Sequence, residues 1–398
     1  MPRPFLFALI SLCGFAMQSA HANDLQYIGS HSDRGASDAV LVDDATLVHT
    51  AQLTALDRQG TLLGKENVQA EIEHVFANLS ATLAIAKSNL DQIVKLNVYI
   101  TAPELRTAVE AALAKSFSSN RKPAVSYVVT RLPIADARIA LDAVAVSGDP
   151  IPRVKLAPVE QLPSSKAAHL SITPPGSRIY VAGQAEKGAN LGEATRLTLE
   201  SLRKTLESLG RGDEDVVQLK AFLSPMDDVK TVMAAMNDFF GKRDRLPPLV
   251  FVEWTAPLIE IELIAWGGNQ LEAPAVEFIT PPGMTASPVY SRVARINRTR
   301  SIYTSGLFAA DAGDAAAETR AIFEQLEQVL GQSKSDFKHL AKATYYCSTN
   351  AASQKLNELR PNYYDPKRPP SASKAMVRGV GKNDCELTLD MIAVPSGK

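Results

Sequence analysis

Three stretches decide the fold: IALDAVAV at 139–146, IEIELIAW at 259–266 and LTLDMIAV at 387–394. Each is an apolar strand pattern with one acid at the same place. Asp142, Glu262 and Asp390 lie 120 and then 128 residues apart. Recurrence at a fixed period marks repeated structural units, and a period of about 125 residues is a whole small domain. Working backward from each acid, the same signals return in the same order. A small-residue step ends a short strand at Thr50-Ala51, Ala182-Gly183 and Ser305-Gly306. An apolar stripe at helical spacing follows: Val68, Ile72, Val75, Leu79 and Leu83 in the first copy, Leu199, Leu202, Leu206 and Leu209 in the second, Ile322, Leu326, Val329 and Leu330 in the third. Next come the strands IVKLNVYIT (93–101), VVQLKAFLS (216–224) and LAKATYYCS (340–348), then a second helix, which Pro361 must end early in the third copy.

The spacing predicts an α+β unit, β-β-α-β-α-β-β, present three times: residues 25–148, 153–268 and 276–396, with linkers near 148–155 and 268–276. One sheet face meets two helices. Val98, Ile100, Phe222 and Leu223 are assigned to the opposite face, which a lone unit would leave wet. Three units packed around a pseudo-threefold axis would bury it.

The first residues read differently. Arg3, the apolar run Phe5–Ala16 and Ala20-His21-Ala22 make a secretory signal peptide over 1–22. The run is too short for a permanent membrane span, so the expectation is an exported protein, periplasmic or secreted, with no membrane contact after cleavage. Lys plus Arg is 42 and Asp plus Glu is 43, which gives no basic stripe for nucleic acid. Cys347 and Cys385 read as buried free thiols, and no Cys/His spacing suggests a metal.

The order of these elements resembles the RidA family, also called YjgF. The residues that carry it are Ala182-Gly183-Gln184, Asp215-Val216-Val217, Phe239-Phe240, Lys122-Pro123-Ala124-Val125-Ser126 and Glu260-Ile261-Glu262-Leu263-Ile264-Ala265. The resemblance implies a chorismate-mutase-like fold, normally a homotrimer with small-molecule clefts between subunits. Here a single chain would equal that trimer. It also implies hydrolysis of reactive imines and enamines to keto acids and ammonia, without a cofactor.

The family's arginine in P-A-R-S holds a substrate carboxylate as a bidentate pair. The matching positions read Val125, Leu249 and Ala372. Losing such a contact with a buried carboxylate costs about 2–5 kcal/mol. The family's first E-I-E glutamate matches Ala140, Glu260 and Thr388. Its tyrosine matches only Tyr290, and its second-helix asparagine only Asn357. Strand alternation puts Lys374 on the face of Ala372, as a replacement cation. The candidate catalytic residues are therefore Glu260 and Lys374. Tyr290, Ser305, Gly306, Asn357, Ala182 and Gly183 are the candidate substrate-binding residues. The recurrent acids are expected to bond across the axis, His49 to be a packed histidine, Arg131 to pair with a surface acid, and Arg292, Arg295, Arg298 and Arg300 to form a solvated charge run. The expected function is binding of a 2-imino or 2-keto acid in inter-repeat clefts, with weakened deaminase chemistry. The alternatives are a non-catalytic binding or scaffold protein, or a chorismatase-like enzyme.

Overall fold

The apolar stripes form helices because their ends are capped. Asn67, Asn190 and Asp314 each accept a first-turn backbone N–H, satisfying donors that a helix start leaves open. The computed structural model describes residues 25–117, 120–241, 243–256, 258–270, 273–310 and 313–397, so the signal peptide read over 1–22 lies outside the described residues. Repeat 1 runs β1 (Gln26–His31), β2 (Ala36–Val42), β3 (Leu47–Thr50), α1 (Val68–Ile85), β4 (Ile93–Ile100), α2 (Leu105–Ser116), β5 (Ala124–Val129) and β6 (Ile139–Val146). Repeat 2 runs β7 (Lys155–Ala157), β8 (Leu170–Thr173), β9 (Ser177–Gln184), α3 (Leu191–Ser208), β10 (Val216–Ser224), α4 (Val229–Phe239), β11 (Leu249–Glu253) and β12 (Leu258–Gly268). Repeat 3 runs β13 (Val276–Ile279), β14 (Val293–Ile296), β15 (Ser301–Thr304), α5 (Ala315–Gln332), β16 (Leu340–Cys347), α6 (Asn350–Leu359), β17 (Ser371–Met376) and β18 (Leu387–Ala393). Each unit thus has one more short strand at its start than the spacing predicts. Among the described residues, no helix is long and apolar enough to cross a membrane.

The sheets interlock the repeats. Repeat 1 contributes β5-β4-β6-β3, and the β8–β7 pair of repeat 2 completes that sheet on the β3 edge. The β14–β13 pair of repeat 3 completes β11-β10-β12-β9 in the same way. The circle closes where β2 and β1 of repeat 1 add to β15 of repeat 3. The chain is therefore a single-chain pseudo-trimer. Ionic contacts hold the crossing turns. Asp44 takes Gly176 N at 2.8 Å and Arg298 at 3.5 Å, and Asp43 takes Arg300 at 2.6 Å. The arginine run is solvated in part and ion-paired: the Arg298 and Arg300 side chains are 44% and 36% exposed, while Arg295, 13% exposed, pairs with Glu277 at 3.6 Å. Arg131 does meet a surface acid, Asp227, at 2.9 Å.

Each sheet buries one face against its helices and the other toward the axis. Of the four residues assigned to the axial face, only Phe222 lies there, beside Tyr99 and Tyr346. Val98 and Ile100 pack under α1 and α2, and Leu223 under α3 and α4. The register of β4 puts the odd residue Tyr99, not its neighbours, on the axis.

Around that axis lie three lysines and three acids. Lys95 of repeat 1 reaches Asp390 of repeat 3 at 3.3 Å, and Lys342 of repeat 3 reaches Glu262 of repeat 2 at 2.8 Å. Repeat 2 has Gln218 at the matching place. Its lysine comes two residues later, where Lys220 lies 3.9 Å from Glu262. Asp142 accepts from Tyr99 at 2.6 Å and Asn97 at 3.0 Å. The recurrent acids therefore do bind across the axis in two of three cases, and Asp142 binds within its own repeat. Glu262 is 3% exposed and Lys342 8%. Removing one member of a buried pair strands the other charge, at a cost of about 3–5 kcal/mol. Lys342→Met is expected to lower unfolding free energy by about 3 kcal/mol in urea, and adding Glu262→Leu to recover most of it. A single variant within 1 kcal/mol of the parent would show that the axis does not depend on this pair.

Candidate functional site

Three seams separate the repeats, each formed by a small-residue step facing the strand that follows the second helix of the next repeat, β11, β17 or β5. Strand pairing sets the equivalence: Leu53, Gln184 and Leu307 face Leu141, Ile261 and Leu389. The step of repeat 1 is therefore Ala51-Gln52, one residue later than the Thr50-Ala51 read from sequence. A glutamine side chain stands where the other repeats have glycine. Its amide clasps Phe251, donating to the carbonyl at 3.0 Å and accepting from the N–H at 3.3 Å.

Alternation along the facing strands decides the chemistry of each seam. In the first seam, between repeats 1 and 2, Leu249 and Phe251 line a largely apolar cavity of about 310 Å³. In the third, between repeats 3 and 1, the corresponding pair is Val125 and Tyr127. In the second, between repeats 2 and 3, it is Ala372 and Lys374, which share the less buried face of β17.

The second seam collects most of the candidate residues. Lys374 Nζ donates to Ser353 Oγ at 2.8 Å and Asn357 Oδ1 at 3.1 Å, both on α6. Gly183 N donates to Ser373 Oγ at 3.1 Å. A Cβ at Gly183 would meet Glu260 Oε1 at 2.0 Å, so any side chain there would displace the glutamate. The glutamate thus lies flat on the step formed by Ala182 and Gly183. Ser291 donates to Pro370 O at 2.9 Å and to Pro369 O at 2.7 Å, which holds Tyr290 beside the start of β17. Arg292 lies over the Tyr290 ring, 5.0 Å from its centre. Ser305 and Gly306 do not join this group. They wall the third seam, where Ser305 Oγ accepts from Val125 N at 2.7 Å and donates to Ser37 O at 2.6 Å.

Electrostatics single out Glu260. Burial, and the Glu262 charge two residues along the strand, push its carboxyl up to about 7, against the pull of Lys342 and Lys374. Burial moves Lys374 below the ordinary lysine range, with Glu260 opposing. The two groups are close enough for each to perturb the other. At neutral pH the carboxyl can both take and give a proton. The matching residues elsewhere cannot: Ala140 is apolar, and Thr388 Oγ1 donates to Leu307 O at 2.8 Å. His49 is a packed residue, 1% exposed, its imidazole lowered to about 3 by burial and by Arg178. Cys347 and Cys385 are free and buried. Among the described residues, no group of His, Cys, Asp and Glu is arranged to hold a metal.

Sequence reading missed Ser353 and Ser373. Ser373 could have been found, since the K-P-A-x-S serine recurs at its place. Ser353 carries no signal beyond lying one helical turn before Asn357.

The pattern of the endoribonuclease L-PSP family matches this chain three times, over residues 37–147, 160–266 and 283–395. A RutC family protein of Synechocystis, slr0709, is 36% identical over 99 residues, 24% of this chain and 75% of its own. Among solved structures, the Rid protein YyfB of Yersinia pestis is 24% identical, covering 31% of this chain and 98% of its own with a TM-score of 0.29. NMB1025 of Neisseria meningitidis, a YjgF family member, is 16% identical, covering 31% and 97% with a TM-score of 0.24.

A carboxyl raised from about 4.5 to about 7 on folding binds its proton more tightly in the folded state. Its stabilising contribution is full below pH 4.5 and is lost as pH rises to 7. The parent should therefore lose on the order of 2 kcal/mol relative to Glu260→Gln between pH 4.5 and 8, measured by parallel denaturant melts. Parallel pH curves for the two proteins would show that Glu260 titrates as an ordinary surface acid.

Proposed function

Since the chain belongs to the endoribonuclease L-PSP family through all three repeats, we propose that its second seam binds a small 2-imino or 2-keto acid and hydrolyses the imine. The observation that carries this reading is that Lys374, held by Ser353 and Asn357, and Glu260, lying against Gly183, line the same seam and each feels the other's charge. Lys374, steadied by Ser353 and Asn357, faces the substrate carboxylate as a point charge. It stands in for the guanidinium whose places are held by Val125, Leu249 and Ala372. Glu260, as carboxylate, takes a proton from water as the oxygen bonds to the imine carbon. It returns that proton to nitrogen, the C–N bond breaks, and the carbinol hydroxyl passes its proton by way of Glu260 to the departing ammonia as the carbonyl forms. The net change is iminium plus water to keto acid plus ammonium.

Residues 1–22 support export of the protein, so the same chemistry would act on metabolites outside the cytoplasm. The ribonuclease in the family's description is not carried to this chain, because 42 basic against 43 acidic residues supply no excess charge for a phosphate backbone. A purely binding role is the second reading. It is favoured by the apolar or hydrogen-bonded residues, Ala140 and Thr388, at the glutamate's place in the other seams.

Ammonia release from imines generated in situ by an amino-acid oxidase tests the proposal. The full chain should accelerate release over buffer. Glu260→Gln should lower kcat by about a hundredfold, and Lys374→Ala should lower kcat/KM by at least about tenfold, mostly through KM. No acceleration over buffer would eliminate hydrolysis; saturable keto-acid binding without release would select the binding reading.

A further inference from the structure

The first seam holds a different kind of space. Its cavity of about 310 Å³ lies between repeats 1 and 2. Leu53, Leu162, Leu249 and Phe251 are its buried walls. Leu56, Ile134 and Met233, each partly exposed, open it to solvent. Among the described residues that line it, none is Asp, Glu, Lys or Arg. Its imidazole, His169, accepts from Val159 N at 2.8 Å through Nδ1. Burial holds that ring below the ordinary histidine range, so it is neutral at pH 7.

The polar groups of the floor are already engaged with each other. Gln52 gives both ends of its amide to Phe251, and its backbone N–H to Leu249 O at 3.0 Å. Ala51 N donates to His169 O at 2.8 Å, and Ser165 Oγ accepts from Ala167 N at 3.1 Å. The bonds of Gln52 and Ala51 run between the repeats, so the walls are set before a ligand arrives. A carboxylate here would lose its hydration with no cation to replace it. The hydroxyls of Thr54 and Ser164 also line the space, and they suit an uncharged polar group. A cavity of about 150 Å³ walled by aliphatic and aromatic side chains takes up benzene; this one has room for two fused rings. Phe251 offers a ring to stack on, and the Met233 thioether makes favourable contacts with aromatic edges.

We propose that the first seam is a binding site for a small uncharged aromatic molecule of one or two fused rings. Its chemistry is the opposite of carboxylate recognition. Leu249 holds the place of a cation, so the substitution that removes an anion's partner also supplies the apolar wall. The site shares no residue with the second seam and does not depend on hydrolysis there.

Titration calorimetry of the full chain with 2-naphthamide, and with the isosteric anion 2-naphthoate as competitor, tests this. Naphthamide should bind saturably, with the negative heat-capacity change that marks apolar burial. Naphthoate at about ten times the naphthamide Kd should leave the naphthamide affinity within about twofold. Leu249→Arg should weaken naphthamide by about tenfold or more, and Met233→Glu by about fivefold or more, through lost apolar contact. Lys374→Ala, which alters the second seam, should bind naphthamide like the parent. Met233 is partly exposed on α4, so Met233→Glu decides the matter if thermal melts show that Leu249→Arg does not fold. The proposal is overturned by absence of saturable naphthamide binding, or by naphthoate weakening it beyond that limit. It is overturned equally by loss of binding in Lys374→Ala, or by parent-like affinity in the folded first-seam variants.

Discussion

Each repeat builds a sheet with an unfinished edge, and only the next repeat can finish it. β3, β9 and β15 pair on one side within their own repeat and on the other with a strand from the neighbour. An open edge is a standing invitation to aggregation, and three open edges satisfied in rotation can only form a ring. The seams follow, because the crossing strands set which step faces which strand, and at what register. The axial charges follow too, since the ring brings Lys95 and Lys342 against acids of other repeats. Covalent linkage keeps each partner edge at high effective concentration, so the ring does not depend on subunit encounter.

Linkage also frees the seams from one another. In a symmetric trimer, a substitution appears in every interface at once. Here Val125 with Tyr127, Leu249 with Phe251, and Ala372 with Lys374 occupy the same pair of positions and make three different walls. Gln52 closes one step with an amide, while Gly183 leaves the next open for Glu260. Even the axis has drifted: repeat 2 moves its lysine from the place of Gln218 to Lys220 and still meets Glu262. What all three copies retain is the sheet register, the requirement they share.

Much of this was legible in the sequence. The recurrent acids, the capped apolar stripes and the alternation that sets Lys374 beside Ala372 are local or periodic signals, and they led to the repeats and to the residues of the second seam. Three features were not legible. The exchange of strands is invisible because a strand's pattern is the same whichever edge it joins. The step of repeat 1 slipped by one residue because Thr50-Ala51 and Ala51-Gln52 are equally plausible until pairing with Leu141 decides. Ser305 and Gly306 were grouped with Glu260 by homology of position, but position within a repeat does not say which seam a residue faces.

The axis and the second seam are one electrostatic system. Glu262 anchors the ring through Lys342, and it is also the charge, one strand-repeat along from Glu260, that keeps the Glu260 carboxyl from ionising easily. Lys342 pulls both acids toward ionisation, so the strength of its pairing sets how much of the Glu262 field reaches the seam. Burial is the larger cause of the rise at Glu260, and the Glu262 charge adds to it against the pull of Lys342 and Lys374. Its place near pH 7 reflects both its burial beside Gly183 and the negative field of Glu262. The network that holds three repeats together thereby also tunes the acid on the seam between two of them.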